Sequence, residues 1–246
     1  DGFIAQEPNS QKYIRKIYGA IEYINNLDRY CLWLLGATPS DLKKMPRVMD
    51  RIEKVRQFRL ASPKKATQNS AAMPTLFQEI RQPDSDYIIV PRHSSENRRY
   101  IPFGFVSSDI IVNDAVLIIP EATLFHFGIL TSNVHMAWMR TVGGRLKSDY
   151  RYSKDIIYNN FPWPDATDDQ KAAIEKLAQA VLDARNLFAD SSLADLYDPL
   201  TMPPELLKAH RALDAAVMKL YGFTVKETTE ASCVAALMER YESLVK

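Results

Sequence analysis

The run Tyr87-Ile88-Ile89-Val90, with the segments Tyr100 to Val106, Ile110 to Val112, Val116 to Ile119 and Thr123 to Leu130 that follow it, decides the fold class. These short segments are rich in β-branched and aromatic residues, which suit a pleated, half-buried surface. Pro91, Pro102 and Pro120 punctuate them, and Asn113-Asp114 carries a turn signal. Short strands at such intervals predict a mainly antiparallel sheet. Upstream, Tyr30 to Leu35 is a short apolar run that reads as a buried strand. Thr38-Pro39-Ser40-Asp41 reads as a helix start, with Thr38 as the cap and Pro39 at the first helical position. Leu42, Met45, Val48, Met49, Ile52 and Val55 then recur at three- and four-residue spacing, so one face packs inward. Pro46 falls early in this pattern and allows a start just before it. Ser62 to Met73 is polar and small and reads as a loop.

Downstream, Thr131 or Ser132 caps a short helix through Arg140, ended by Gly143-Gly144. Arg145 to Ser153 is polar and partly alternating, as in an exposed strand or an ordered loop. Asn159-Asn160-Phe161-Pro162-Trp163-Pro164 reads as a linker that packs its aromatics. After Pro164 the pattern is helical. Asp168 or Asp169 starts a helix with an apolar stripe of Ala173, Leu177, Ala180, Val181, Ala184 and Leu187. Ser192 to Tyr197 adds a turn. Pro203-Pro204-Glu205 starts a helix through Tyr221 that Gly222 ends, and Thr228 or Thr229 precedes a last one to Val245. The expectation is an α+β chain. Residues 1–163 form a mainly antiparallel sheet with flanking helices, and residues 164–246 form an all-α helical bundle.

The formal charge of +1 hides an asymmetry: residues 1–164 carry a net +6 and residues 165–246 a net −5. The densest basic segment, Asp41 to Lys65, holds nine Lys/Arg, among them Arg51, Lys54, Lys64 and Lys65. A basic half beside an acidic half is a common footprint of a nucleic-acid surface with a non-binding appendage. A helix with a solvated basic face accounts for the same pattern without a partner. The sequence has no run of about 18 uncharged apolar residues, which argues against a membrane helix. Cys31 and Cys233 are the only cysteines, which fits a reducing cytoplasm. Asp1-Gly2-Phe3-Ile4 has neither a start Met nor a signal pattern, so the chain reads as a piece of something longer.

Catalytic signatures are missing. No Gly-rich turn follows the first strand, as an S-adenosylmethionine domain would want. Asn160-Phe161-Pro162-Trp163 shares letters with an adenine-gripping run but not their order. His93, His126, His135 and His210 lack metal-ligand spacing, and read as packing residues. Catalysis by this chain alone, with a cofactor or metal of its own, is not expected.

Longer runs carry a resemblance. Thr123-Leu124-Phe125-His126-Phe127-Gly128-Ile129-Leu130-Thr131-Ser132 and His135-Met136-Ala137-Trp138 resemble the C-terminal part of the MmeI-type (type IIL) DNA methyltransferases and restriction-modification enzymes. So do Gly144-Arg145-Leu146-Lys147-Ser148-Asp149-Tyr150-Arg151-Tyr152-Ser153 and Tyr158 to Pro164. Further matching runs are Ser191 to Pro199, Met202 to Leu206, Arg29 to Leu34 and Pro102 to Phe105. The resemblance spans nearly the whole chain. It implies a target recognition domain over residues 1–163 and a C-terminal helical domain over 164–246. An upstream domain of the same polypeptide would bind S-adenosylmethionine and methylate adenine at N6, and some members also carry a nuclease domain. The implied partners are double-stranded DNA and that upstream domain.

Chemistry of the residues agrees with such a role. Lys offers donors to guanine O6/N7, and Asp accepts from cytosine N4. Lys147 and Asp149 have period-two spacing, so on an extended segment they project from one face while Tyr150 and Tyr152 pack on the other. A surface ion pair is the plainer account of Lys147 and Asp149. The resemblance places base-selecting positions at Lys147, Asp149 and Arg151, with a second group at Arg92, Asn113, Asp114 and Ala115. Arg145 and Lys154 flank the first group and join Arg51, Lys54, Lys64 and Lys65 as expected phosphate donors. The alternative is a non-catalytic protein–protein interaction module that uses the acidic bundle.

Overall fold

A computed structural model describes residues 2–246. In chain order its elements are α1 (Gly2–Gln6), β1 (Ile14–Tyr18), α2 (Ala20–Ile24), β2 (Tyr30–Leu32), α3 (Pro39–Lys43), α4 (Pro46–Leu60) and α5 (Lys65–Asn69). Then follow β3 (Tyr87–Pro91), β4 (His93–Ser94), β5 (Gly104–Val106), β6 (Ile111–Val112), β7 (Val116–Pro120), α6 (Leu124–Leu130), α7 (Asn133–Val142), β8 (Gly144–Leu146) and β9 (Asp149–Arg151). The chain ends in α8 (Asp168–Asn186), α9 (Leu193–Leu196), α10 (Pro204–Leu220) and α11 (Glu230–Val245). Two compact units result. One takes the chain up to Ile17 with Asp28–Gln82 and Asp109–Ile111; the other takes Tyr18–Leu27, Pro83–Ser108 and Val112–Lys246.

In the first unit β1 and β2 pair antiparallel, Ile14 opposite Leu32 and Lys16 opposite Tyr30. The expected buried strand at Tyr30–Leu35 is thus only three residues long. It lies at a sheet edge, where Tyr30 is left 60% exposed. Thr38 caps α3 as expected: it accepts from Asp41 N, and the Asp41 carboxylate returns to Thr38 N. Pro46 then starts the separate, longer helix α4. Met45, Val48 and Ile52 fill a small core with Tyr13 and Leu34, while Met49 and Val55 stay exposed, so the inward stripe is narrower than its pattern. The expected loop at Ser62–Met73 contains α5 and a 3-10 turn, Ser70–Ala72. Three carbonyls in and just beyond this segment share a distant donor. The Arg59 guanidinium donates to the carbonyls of Ser70, Met73 and Leu76 at 2.7–3.1 Å.

The second unit is built on β3, which is buried along its whole length between antiparallel β5 and β7. Tyr87 sits opposite Val106 on one side and Pro120 on the other. The run Thr123–Leu130, expected as a strand, is helix α6. Thr123 caps it, accepting from Phe125 N, and tertiary packing overrides β-propensity. Gly128 marks the contact. A Cβ there would stand 2.7 Å from Ile174 Cγ2 and 3.3 Å from Ala178 Cβ, so α6 lies on α8 at a distance only glycine permits. Ser132, Thr167 and Thr229 cap α7, α8 and α11. On α8 the buried face is Ile174, Ala178, Val181, Ala184 and Arg185; Ala173 and Leu187 face water, so the expected stripe was rotated by about one residue. One continuous core joins Ile88 and Val90 of β3 to Phe127, Trp138, Val181, Leu213 and Leu237. The helices after Pro164 therefore share their core with β3, α6 and α7.

His135 and His210 are packing residues in this core, each fully buried. Tyr100 stacks on His210 at 4.1 Å, and Tyr197 and His210 share a 2.7 Å hydrogen bond. Burial pushes the His135 pKa down to about 3. His210 also lies well below its ordinary value, chiefly through burial and secondarily through Arg185 and Arg99. Both rings are thus neutral in the folded protein, whereas the unfolded chain protonates each near pH 6.5. Their contribution to stability is complete above about pH 6.5 and is lost as pH falls toward the depressed folded values. Between pH 6.5 and 5, the unfolding free energy should fall by up to about 1.4 kcal/mol per pH unit for each histidine. Urea titrations across that window measure the slope, and a flat profile would contradict it.

Candidate nucleic-acid interface

Arg145 to Ser153 is a hairpin rather than one extended segment. In it Gly144 faces Arg151, Arg145 faces Tyr150 and Leu146 faces Asp149. Lys147 and Ser148 are therefore the two turn residues, and Lys147 has φ 56, in the left-handed region. The expected shared strand face of Lys147 and Asp149 does not form, because the chain reverses between them. Period two holds one step later. Asp149 and Arg151 are exposed on one face of β9, and Tyr150 between them is buried. Tyr152 is buried too, as expected. Arg145 braces the turn: its guanidinium lies 4.4 Å from the Tyr150 ring centroid and donates to Ser148 O at 2.8 Å. It also donates to Glu96 Oε2 at 3.5 Å. Lys154 pairs with its neighbour Asp155.

The two expected base-reading groups meet through backbone bonds. β4 pairs with β9, placing His93 opposite Arg151. Just before β4, Arg92 N donates to Ala115 O at 3.1 Å, and Arg92 O accepts from Tyr152 N at 2.8 Å. Arg92 thus links the turn Asn113–Ala115 to the end of β9. Asn113 spends its side-chain oxygen on Ala115 N at 2.9 Å, an Asx turn that leaves Asp114 exposed. Among the described residues the buried Arg92 Nε has no hydrogen-bond partner. Asp149 accepts from Glu96 N at 3.3 Å, a contact that sequence spacing does not signal, since it arises from strand pairing. Among the described residues, the Lys147 and Arg151 side chains have no hydrogen-bond or ion-pair partner.

The basic segment Asp41–Lys65 belongs to the first unit. Lys54, Lys64 and Lys65 are exposed, and Arg51 lies over the Phe3 ring at 4.5 Å. Arg59 is committed to the carbonyls named above, and Arg56 pairs with Glu53. Asp41 is neutralised by Lys12 at 3.0 Å, and hydrogen bonds from Thr38 and Lys12 hold its carboxyl well below the usual range.

Residues 1–165 match the family profile described as MmeI, target recognition domain, and residues 166–246 match MmeI, C-terminal domain. The chain belongs to the MmeI family. DNA methyltransferase A of Bacillus subtilis (strain 168) is 38% identical over 243 residues, which is 99% of this chain and 27% of that protein. A solved structure of the Type IIL restriction-modification enzyme MmeI in complex with DNA superimposes with a TM-score of 0.96 at 50% identity. It covers 99% of this chain and 32% of that one. The chain therefore spans about a quarter to a third of the length of these relatives.

The Lys147 conformation is itself testable. A non-glycine residue in the left-handed region is tolerated by Asn and resisted by β-branched side chains. Lys147→Asn should leave thermal stability equal or slightly higher, and Lys147→Val should cost about 1–2 kcal/mol. Equal stability of the two variants would show that the turn is not held in this conformation.

Proposed function

We propose that this chain is the sequence-specific double-stranded DNA recognition part of an S-adenosylmethionine-dependent adenine-N6 methyltransferase of restriction-modification type. The observation that carries the reading is the convergence of Arg92, Asp114, Ala115, Asp149 and Arg151 on one junction of backbone hydrogen bonds, in a chain of the MmeI family. Residues 1–163 act as the recognition domain and residues 164–246 as a helical brace that carries −5 and reads no bases. The upstream part of the same polypeptide supplies the methyl donor site and the chemistry, in the cytoplasm. None of the residues named here takes a step in methyl transfer.

In this reading donors and acceptors divide the work. Arg92, Lys147 and Arg151 offer guanine O6/N7 a cation with N–H donors, and Asp149 and Asp114 accept from cytosine N4 or adenine N6. Asn113 sets the turn that presents Asp114 and Ala115, whose methyl suits an apolar base edge. Arg51, Lys54, Lys64, Lys65, Arg145 and Lys154 neutralise phosphates, a sequence-independent contribution.

Two measurements test the division. Replacing Arg51, Lys54 and Lys65 with Ala should lower the slope of log affinity against log salt by about one unit per lost contact, with base preference unchanged. An unchanged slope would leave α4 a solvated structural helix. The double variant Lys147→Glu with Asp149→Arg, in the full-length polypeptide, should move the preferred base from G to C at one position of the site. Each mismatched pair costs about 1–3 kcal/mol, enough to read by sequencing bound or modified sites. An active variant that keeps every base would exclude these two residues as readers. Binding with no salt dependence at all would favour a protein–protein module.

A further inference from the structure

Base discrimination demands that donors and acceptors be held within about 0.5 Å, which falls to the residues behind the readers. On β9 the readers Asp149 and Arg151 alternate with buried Tyr150 and the buried Tyr152 that follows the strand. Tyr152 occupies a special place. Its backbone N–H donates to Arg92 O at 2.8 Å, so it joins both reader groups. Its hydroxyl shares a 2.9 Å hydrogen bond with His135 Nε2 on α7, and both residues are at most 2% exposed. Aromatic rings enclose the pair: Phe103 meets Tyr152 edge-on at 5.7 Å, and Phe161 meets His135 edge-on at 4.5 Å. The ring of Tyr152 is thus held laterally by packing and along its length by one polar bond. His135 Nδ1 has no partner among the described residues, so the bond at Nε2 is the ring's polar anchor. α7 is capped by Ser132 and buried over most of its length, a rigid support.

We propose that the buried His135–Tyr152 hydrogen bond is a specificity-positioning brace: it sets the reach of β9 and of Arg92 toward the base edges without touching DNA. The inference rests on the recognition function proposed above. It separates two properties that a merely structural residue would move together. Loss of the brace lets the readers shift by tenths of an ångström, which relaxes base choice. The phosphate donors Arg51, Lys54, Lys64 and Lys65 lie on other segments, and a shift of tenths of an ångström leaves the point charges of Arg145 and Lys154 within reach of phosphate, so non-specific affinity and its salt slope persist.

The test uses the full-length polypeptide and fluorescent duplexes carrying the preferred site or single base changes. Tyr152→Phe should reduce discrimination at the positions read by Arg92, Asp149 or Arg151 by at least about fivefold, with the non-specific salt slope unchanged. It also strands a buried His135 Nε2, so part of its effect could be lost stability. The double variant Tyr152→Phe with His135→Leu removes both polar partners and restores an apolar pairing of similar shape. Its thermal stability should recover toward that of the unaltered protein while discrimination stays relaxed. Discrimination that returns with stability, or never falls, overturns the brace. Arg151→Ala and Arg92→Ala serve as references. If they relax base choice and the Tyr152 variants do not, the brace alone fails. If they too leave base choice intact, the assignment of the readers fails and the brace with it.

Discussion

Arg185 is 8% exposed, yet its guanidinium sits in the core of the second unit, donating to Phe103 O at 2.6 Å and to the Tyr197 hydroxyl at 2.7 Å. The rings of Tyr197 and Phe127 lie 4.9 and 5.4 Å from its centre. A buried cation is costly unless it is hydrogen-bonded, and here each bond ties a different piece of chain to α8. Phe103 belongs to the segment that leads into β5, and Tyr197 follows α9. From Tyr197 the chain of polar contacts runs to His210 on α10. Nearby, the Tyr100 hydroxyl donates to Asp214 Oδ2 at 2.6 Å, and Asn133 N at the start of α7 donates to Asp214 Oδ1. One desolvated charge thus demands that the segment before β5, α8, the Tyr197 turn and α10 stand in a single arrangement.

That arrangement explains why helices and strands of this unit cannot be treated as separate layers. α6 closes on α8 at Gly128, and α7 packs against α6, α10 and α11, with Arg140 pairing with Glu230 of α11 at 2.8 Å. The hairpin β8–β9 follows α7 directly, so its position inherits the rigidity of that core. Exposed side chains on a short hairpin are ordinarily mobile. Here the Tyr150 and Tyr152 side chains are buried, and Arg145 and Glu96 fasten its turn and the first residue of β9. The packing thus gives the hairpin a rigid platform with exposed polar tips at Lys147 and Arg151.

The family relation and the geometry bear on different questions. Membership in the MmeI family says what kind of protein contains such a chain. It does not say which atoms are free to contact a ligand. The structure narrows that list: Arg145, Lys154, Asn113 and Arg51 are engaged in internal contacts, whereas Lys147, Arg151, Lys54, Lys64 and Lys65 are exposed donors. Side chains already spent on a turn or a ring have fewer donors left for directed hydrogen bonds, while their charge still acts on a nearby anion.

Local chemistry made several elements legible from the sequence alone. The cap at Thr38, the caps narrowed to Thr131 or Ser132 and to Thr228 or Thr229, the stop at Gly222, the strand at Tyr87 and the helices after Pro164 all follow from short-range rules that act within about four residues. The packing role of His135 was legible too, from its apolar neighbours Met136 and Trp138. Tertiary structure decided the rest. Thr123–Leu130 has the composition of a strand, but a glycine-mediated contact with a helix some 45 residues on makes it helical. Ser62–Met73 looks like a loop because it is polar and small; α5 and a 3-10 turn form there, and Arg59 of α4 binds the Ser70 and Met73 carbonyls from 11 and 14 residues away. Lys147 and Asp149 have the spacing of a strand face, yet a turn between them breaks it, since side-chain alternation survives only while the backbone stays extended. Spacing along a chain reports direction only within one element. Which segments meet, and which polar groups remain free after they meet, depends on contacts between residues far apart in sequence.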